Sequence, residues 1–275
     1  MIIVNGKEIY DSNQLYAYKT YLDYELSYPK TVKDSFLSCM GYFPDAADQN
    51  DQTKEGLKRR QKLFATSKSV QFKSKLNADI FNQDLYLINN CEVDIKIMPN
   101  DDNFMLIQDA AAAKTFRFEL KDLRLFVKTL NLHDGLSLDI ANRLESQPAR
   151  YGLRRTMLKS LLISKGDTEF SANLYIEEVP RRLIIALVAN DAFSGNKNKS
   201  PFNFEHFNLR EISVFANGQT YPQTPYSLDY GDNRYVRAYH DMMEHAGLAY
   251  CTDSNGIDYT RYKTGWCVYI FSLTR

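Results

Sequence analysis

VNGK at residues 4–7 and AYKTYLD at residues 17–23 return near the other end of the chain as FANGQ at residues 215–219 and YVRAYHD at residues 235–241. Each copy has a strand-like stretch, an Asn-Gly turn and a loop, followed by a basic residue, a small residue, Tyr, any residue and Asp. Asn-Gly supplies the positive φ angles of a tight hairpin turn. This order predicts two similar β units in one chain, unless motifs common in β proteins match by chance.

An aromatic, strand-like stretch follows each copy, at residues 70–76 and at residues 267–273. Tyr21 and Tyr239 each combine a large apolar ring with a polar tip. We therefore expect these two tyrosines to anchor a returning loop against the sheet.

Composition agrees with a β-rich chain that has a sizeable core. The 275 residues are 44% hydrophobic and include 19 Tyr and 16 Phe, and aromatic residues favour pleated sheets. Short strands bounded by turn residues, without a βαβ rhythm, favour a sandwich or jelly roll. The predicted strands are 69–76, 84–87, 92–98, 104–107, 115–120, 122–130, 153–164, 173–176, 181–188, 208–216 and 266–273. A helix is predicted at 137–144, and short helices or extended turns around 16–24 and 235–245.

Charge and cysteine content exclude several classes of protein. The 34 basic and 34 acidic residues balance, and basic residues cluster only briefly, as at residues 58–62, so we predict no specific nucleic-acid site. Cys39, Cys91, Cys251 and Cys267 form no CxxC pair, which favours a reducing compartment. The sequence shows no signal peptide and no apolar run of the roughly 18 to 20 residues that a membrane span needs. A soluble, non-secreted chain is expected.

Residues with catalytic or metal-binding chemistry lack the spacing that such chemistry needs. His240, Glu244 and His245 match neither HExxH nor HxxEH, the spacings that direct two imidazoles to one zinc. Asp191 lies in a turn-forming Asn-Asp-Ala-Phe segment and is expected to cap a turn. Cys91 and Cys267 lie in apolar, strand-like settings, where a buried structural thiol is expected. We predict no catalytic, cofactor or metal site, and no enzyme.

Several stretches together resemble the major capsid proteins of Maverick (Polinton) transposons and adintoviruses. The residues from 190 to 208, with Asn-Asp-Ala-Phe, Gly195 and Pro-Phe-Asn-Phe, are the most specific part. The stretches are VNGKEI at 4–9, YAYKTYLDYELSYP at 16–29, CEVDIKIMPNDDNFMLI at 91–107, VPRRLIIALVANDAFSGNKNKSPFNFEHFNLREISVFANGQ at 179–219 and YVRAYHDMM at 235–243.

This resemblance implies an all-β double jelly roll, with two tandem jelly-roll sandwiches, that assembles as pseudo-hexagonal trimers in an icosahedral shell. The expected partners are copies of the chain itself, in a homotrimer and a capsid lattice, together with penton and minor capsid proteins. The expected location is the virion capsid, after assembly from soluble subunits in the cytoplasm or nucleus of the host cell. The alternatives are a single jelly-roll penton or minor capsid protein, and a jelly-roll carbohydrate-binding module.

The resemblance also implies domain boundaries. Residues 1–130 would form the first jelly roll, residues 131–150 a linker with a short helix, and residues 151–275 the second jelly roll. Family members begin upstream of the VNGK strand and continue past the position of Arg275. Both jelly rolls are therefore expected to be incomplete, the first lacking its first strands and the second its last.

Overall fold

A computed structural model describes residues 1–45, 55–108, 116–175, 178–249 and 253–273. The chain divides into two compact units that alternate along the sequence. Unit 1 comprises Met1–Gln14, Leu76–Pro99 and Arg117–Leu158, and unit 2 comprises Leu15–Lys75, Asn100–Phe116 and Lys159–Arg275. Each unit is thus built from segments that are far apart in sequence, whereas the sequence predicts a division at residues 131–150.

The prediction of an all-β double jelly roll is wrong. The structure is 29% helical and only 16% strand, and its sheets contain two or three strands. The strands predicted at 69–76, 84–87, 122–130 and 153–164 join no β-ladder, and residues 104–107 overlap a helix instead. Alternation of apolar and polar residues is a local pattern, whereas a strand also needs a neighbouring backbone to hydrogen-bond with. These segments have a local strand pattern but form no β-ladder in the described residues, even where a backbone contact exists, as between Lys73 N–H and Cys39 O at 3.0 Å.

Seven strands form three small antiparallel sheets in the described part of the chain. In unit 1, β1 pairs with both β2 and β3, in the order β2-β1-β3. In unit 2, β4 pairs with β7, and β5 pairs with β6. The strands are β1 Ile2–Val4, β2 Lys7–Tyr10, β3 Val93–Ile95, β4 Arg182–Ala186, β5 Glu211–Ala216, β6 Gln219–Ser227 and β7 Val268–Ser272.

Eight α-helices lie in the described residues, all but one of them in unit 2. The longest, in unit 1, is α5, which has 13 residues and contains the helix predicted at 137–144. The helices predicted at 16–24 and 235–245 are confirmed as α1 and α7. The helices are α1 Tyr16–Ser27, α2 Lys30–Asp34, α3 Glu55–Leu63, α4 Asp102–Met105, α5 Asp134–Ser146, α6 Asn190–Phe193, α7 Val236–His245 and α8 Tyr259–Lys263, with short 3-10 turns at Phe36–Met40, Ala65–Ser67 and Asp79–Phe81.

The predicted hairpin turns form in both copies of the repeat. Asn5 and Gly6 connect β1 to β2 with φ angles of 49° and 75°, and Asn217 and Gly218 connect β5 to β6 with 51° and 76°. Two consecutive positive φ angles define the type I′ turn, whose twist matches that of the flanking strands. The Asn-Gly pairs therefore fix the hairpins, as the sequence indicates.

The tyrosine motif of the repeat lies on a helix in both copies, so Tyr21 and Tyr239 do not anchor a returning loop as expected. Its basic and acidic residues are four positions apart, so they meet on one helix face. Lys19 Nζ lies 3.1 Å from Asp23 Oδ2, and Arg237 Nε lies 3.9 Å from Asp241 Oδ2. Each copy is thus a hairpin followed in sequence by a helix with one such pair.

The hydrophobic core of unit 2 is built around β7. Residues 266–271 are buried in succession, which is expected of a strand covered on both faces. Helix α7 packs against this strand with Ala238 and Met242, and Leu183 of β4 joins the same core. The strands predicted at 181–188, 208–216 and 266–273 are confirmed as β4, β5 and β7.

Unit 1 has a much smaller core. Its buried apolar residues, among those described, are Ile2, Tyr10, Ala78 and Ile80. Ile2 lies on the central strand β1 and faces Ile95 of β3. Because burial of apolar surface is the main force that stabilises a fold, unit 1 has little of its own to stabilise it.

Candidate assembly surface

Residues 117–132 of unit 1 form a stretch of exposed apolar residues that we call the apolar segment. Its sequence is RFELKDLRLFVKTLNL, and every residue in it is exposed. The apolar segment forms neither helix nor strand. Its large apolar side chains are between 39% and 73% exposed, namely Phe118, Leu120, Leu123, Leu125, Phe126, Val127, Leu130 and Leu132.

An ion pair joins two charged side chains at the centre of the apolar segment. Arg124 Nε lies 2.8 Å from Asp122 Oδ2, a contact between residues two apart. Such residues share one face of an extended chain, whereas on a helix they point away from each other. Phe118 and Leu120 repeat the same spacing. The apolar segment thus has the residue spacing of a strand at these positions, although it belongs to no sheet.

Helix α5, which follows, continues this exposure. None of its residues is buried. Leu136, Ile140 and Leu144 lie four residues apart and form one apolar stripe, in which Leu136 and Leu144 are exposed and Ile140 is half-buried. A helix normally buries such a stripe. The exposed stripe of α5 is therefore a second apolar surface, and it follows the apolar segment directly in sequence.

The apolar area involved is large for a protein of this size. From Phe118 to Leu144, 11 large apolar side chains are exposed, most of them by about half or more. An aromatic side chain has on the order of 150 to 250 Å² of surface, so 11 partly exposed side chains, two of them aromatic, together expose several hundred Å². Monomeric proteins rarely expose apolar patches above about 300 to 600 Å². A surface for association is the ordinary meaning of such exposure.

Unit 2 contains a buried ion pair that the sequence analysis missed. Lys33 Nζ donates hydrogen bonds to Glu25 Oε2 and Glu25 O, both at 2.7 Å, and to Asn255 O at 3.0 Å. The hydroxyl of Tyr42 donates to Glu25 Oε1. Burial lowers the pKa of Lys33, against the opposing effect of Glu25. This network joins α1 and α2 to a loop more than 200 residues away, so no local pattern could have indicated it.

Cys267 lies in a buried cluster of hydroxyl groups. Tyr230 and Tyr269 share a hydrogen bond of 2.6 Å between their hydroxyl oxygens, and Cys267 Sγ lies 3.2 and 3.3 Å from them. His206 stacks on the ring of Tyr230 at 4.0 Å. Burial raises the pKa of the Cys267 thiol. Because the thiolate is the nucleophilic form, this geometry suits a structural thiol.

His240 and Glu244 meet a third potential ligand, Asp241, on α7. Their ligand atoms lie within 4.8 Å of one another, and such groups could in principle hold a divalent ion. Asp241 Oδ2, however, already accepts a 2.6 Å hydrogen bond from Tyr226 and lies 3.9 Å from Arg237 Nε. A neighbouring guanidinium repels a cation at this position.

Two other residues singled out in the sequence make local contacts. His245 does not join the preceding cluster, because its Nδ1 lies 2.6 Å from Ile270 O and connects α7 to β7. Asp191 accepts hydrogen bonds from Lys199 Nζ at 2.6 Å and from the backbone N–H of Ala192 at 2.9 Å. The hydrogen bond from Lys199 lowers the pKa of Asp191. Both residues thus hold together neighbouring parts of unit 2.

The remaining candidates are distributed over the surface. Cys39 is exposed and Cys91 is half-buried, whereas Cys251 lies outside the described residues. The basic pairs at 154–155 and 181–182 are exposed. Within the described ranges, no helix is long and apolar enough to span a membrane.

The sequence of the chain is similar to that of an uncharacterized protein. An uncharacterized protein of Caenorhabditis elegans, F54H12.2, is 29% identical to this chain over 275 residues, which covers 98% of the chain and 64% of that protein. The chain therefore spans just under two thirds of the length of this curated relative. Neither a protein-family model nor a solved structure matches the chain.

Proposed function

We propose that this chain is a structural subunit of a capsid, of the kind found in Maverick-type elements and adintoviruses. The resemblance of five stretches across most of the sequence supports this proposal. So does the repeated unit of an Asn-Gly hairpin followed by a helix. In this proposal the partners are further copies of the chain, first in a trimer and then in a shell, together with penton and minor capsid proteins.

The observation that carries the proposal is the apolar surface between Phe118 and Leu144. A capsid subunit acts through repeated contacts with its neighbours, and such contacts bury apolar side chains that are exposed in the separate subunit. The 11 exposed large apolar side chains of this stretch meet that requirement. A protein that functions as a monomer does not need an exposed apolar surface of this extent.

The balanced charge of the chain also suits assembly. With 34 basic and 34 acidic residues, the formal net charge is zero. A large net charge keeps proteins apart through mutual repulsion, so a neutral subunit meets less resistance when many copies associate.

The test is the association state of the purified chain over a range of concentrations. Sedimentation velocity should show a trimer whose fraction rises with protein concentration. Electron microscopy should show particles or flat lattices. A chain that stays monomeric at high concentration and forms no ordered assembly would contradict the proposal. Binding of the monomer to a glycan array would then favour the carbohydrate-binding alternative.

A further inference from the structure

The two Asn-Gly hairpin turns have the same backbone geometry but differ in what holds the asparagine. The φ angles are 49° and 75° in the turn of Asn5, and 51° and 76° in the turn of Asn217. Asn5 Oδ1 accepts a hydrogen bond from the N–H of Glu92 at 2.9 Å, and the N–H of Asn5 donates to Glu92 O at 2.9 Å. Asn217 is exposed, and its side chain makes no hydrogen bond to any described residue.

Asparagine is a thermally labile residue, and an Asn-Gly pair loses its side-chain amide without an enzyme. The backbone nitrogen of glycine, which no Cβ shields, attacks Cγ of the asparagine. The Cγ–Nδ2 bond breaks, the attacking nitrogen gives its proton to solvent, and ammonia leaves behind a cyclic succinimide. Water then opens the ring at either carbonyl carbon, which yields aspartate or isoaspartate. No electrons are transferred, so no oxidant or cofactor is needed.

We propose that Asn217 is a site of this spontaneous modification, and that the structure protects the Asn-Gly pairs at 5–6 and 255–256. Both reacting groups are accessible at Asn217. Gly218 is exposed, and no heavy atom of the protein lies within 4 Å of the position that a Cβ would occupy there. Neither a neighbouring side chain nor a third strand of the sheet has to move before the nitrogen reaches Cγ.

The contact with Glu92 protects Asn5. Cγ approaches the nitrogen of Gly6 only when the side chain of Asn5 rotates, and this rotation breaks the hydrogen bond to Oδ1. A hydrogen bond with a net worth of about 1 kcal/mol lowers the rate about fivefold. Glu92 directly precedes β3, which pairs with β1. The third strand of the unit 1 sheet therefore supplies the protection, whereas the sheet of β5 and β6 has only two strands.

Burial protects Asn255 more strongly. This residue is 2% exposed, and its Oδ1 accepts a hydrogen bond from the N–H of Ile257 at 3.0 Å. The attacking nitrogen is also engaged, because the N–H of Gly256 donates to Ser254 Oγ at 3.1 Å. Both reacting groups are thus held in hydrogen bonds, so the reaction at Asn255 should be the slowest of the three.

The modification changes both the charge and the main chain of the β5–β6 hairpin. Each event replaces a neutral amide by a carboxylate and so adds one negative charge to a chain whose formal net charge is zero. Isoaspartate also inserts a methylene group into the main chain of the turn, and turn geometry sets the register of the two strands. The chemistry therefore alters the β5–β6 hairpin before the β1–β2 hairpin.

The test is incubation of the full chain at mildly alkaline pH, below the range in which tyrosines ionise. Digestion and mass spectrometry then separate the peptides that contain asparagine, aspartate and isoaspartate. In the folded chain Asn217 should react at least about fivefold faster than Asn5, and Asn255 should be the slowest. Equal rates at Asn217 and Asn5, or a faster reaction at Asn5 or Asn255, would overturn the proposal.

The same incubation in urea is the control for structure. Unfolding removes both the contact with Glu92 and the burial of Asn255, so the three Asn-Gly pairs should then react at similar rates. If the folded order persisted in urea, the neighbouring sequence and not the fold would set the rates, and the proposed protection would be wrong.

Gly218→Ala tests the attacking atom. In urea, where the turn is absent, the added methyl group shields the nitrogen of residue 218. The variant should therefore lose the amide of Asn217 more slowly than the wild type, and that of Asn5 at an unchanged rate. A wild-type rate at Asn217 would show that this nitrogen is not the nucleophile.

Discussion

Lys33 Nζ lies 2.7 Å from Glu25 Oε2, and the two side chains are only 3% and 5% exposed. Two charges removed from water in this way stabilise a fold only while both are present, since each alone would be buried without a partner. The pair also fixes α1 against α2 and the loop at Asn255. Loss of either partner should therefore destabilise unit 2 strongly.

Substitution of Lys33 by Met should therefore lower the free energy of unfolding by about 3 to 5 kcal/mol, because the charge of Glu25 loses its partner. Chemical denaturation of the purified variant measures the change. Lys30→Met is the control, since the pair that Lys30 forms with Asp34 is 60% and 43% exposed and should contribute at most about 1 kcal/mol. Similar losses in both variants would contradict the role of burial.

Gly218→Ala should destabilise the second hairpin by about 1 kcal/mol. No atom lies within 4 Å of the added methyl group, so the cost comes from its φ angle of 76° and not from a clash. Gly152→Ala is the matched control, because that position is equally open and its φ angle is not in the left-handed region. Urea denaturation compares the two, and a harmless Gly218→Ala would argue against the type I′ turn.

Alkaline pH should unfold the chain through its buried tyrosines. Burial raises the pKa of Tyr235 from 10.0 to about 12 and raises further those of Tyr18, Tyr42, Tyr226, Tyr230, Tyr262 and Tyr269. The unfolded chain loses these protons near pH 10 while the folded chain keeps them. Their contribution to stability is thus complete below pH 10 and is lost as the pH rises through the folded pKa values.

The measurement is thermal unfolding from pH 9 upward, with tyrosinate absorbance recorded in parallel. The absorbance should rise together with unfolding. In Tyr235→Phe the melting temperature should fall less steeply between pH 10 and about 12, the range set by the pKa of Tyr235. A melting temperature that does not change above pH 10 would be inconsistent with buried, protonated phenols.

Acid should weaken unit 2 through His206. Burial lowers the pKa of this imidazole from 6.5, and Lys263 adds to the effect, while His206 Nδ1 accepts a hydrogen bond from the N–H of Asn208. The folded chain therefore binds the proton less readily than the unfolded chain. The contribution to stability is complete above pH 6.5 and falls as the pH drops through the folded pKa.

His206→Phe should retain the stacking on Tyr230 and remove the contribution of His206 to the loss of stability in acid. Below pH 6.5 the melting temperature of the variant should therefore fall less than that of the wild type. If His206→Phe shows the wild-type pH profile, another group causes the acid sensitivity.

Features that depend on residues close together in the sequence were predictable from it. The Asn-Gly pairs at 5–6 and 217–218 fix both hairpins by their own φ preferences, and helices α1, α5 and α7 lie where they were predicted. The strands β4, β5 and β7 likewise follow from short β-branched and aromatic runs. In each case the decisive signal lies within about ten residues.

The all-β fold could not be predicted correctly because alternation does not reveal whether a strand has a partner. The apolar segment and residues 153–164 have strand-like alternation or short apolar runs, yet the structure gives them no sheet. The ion pair of Lys33 was missed for a related reason, since one of its hydrogen-bond acceptors, Asn255 O, is 222 residues away. Long-range pairing is the part of a fold that local pattern leaves undetermined.

The position of β7 has a consequence for synthesis on the ribosome. This strand is the centre of the unit 2 core but follows every other strand and helix of that unit in sequence. At about 5 to 20 residues per second, its partner strand β4 emerges several seconds before β7. The nascent chain must therefore hold the apolar surfaces of β4 and α7 uncovered until β7 has been made, and that interval is when it depends most on chaperones.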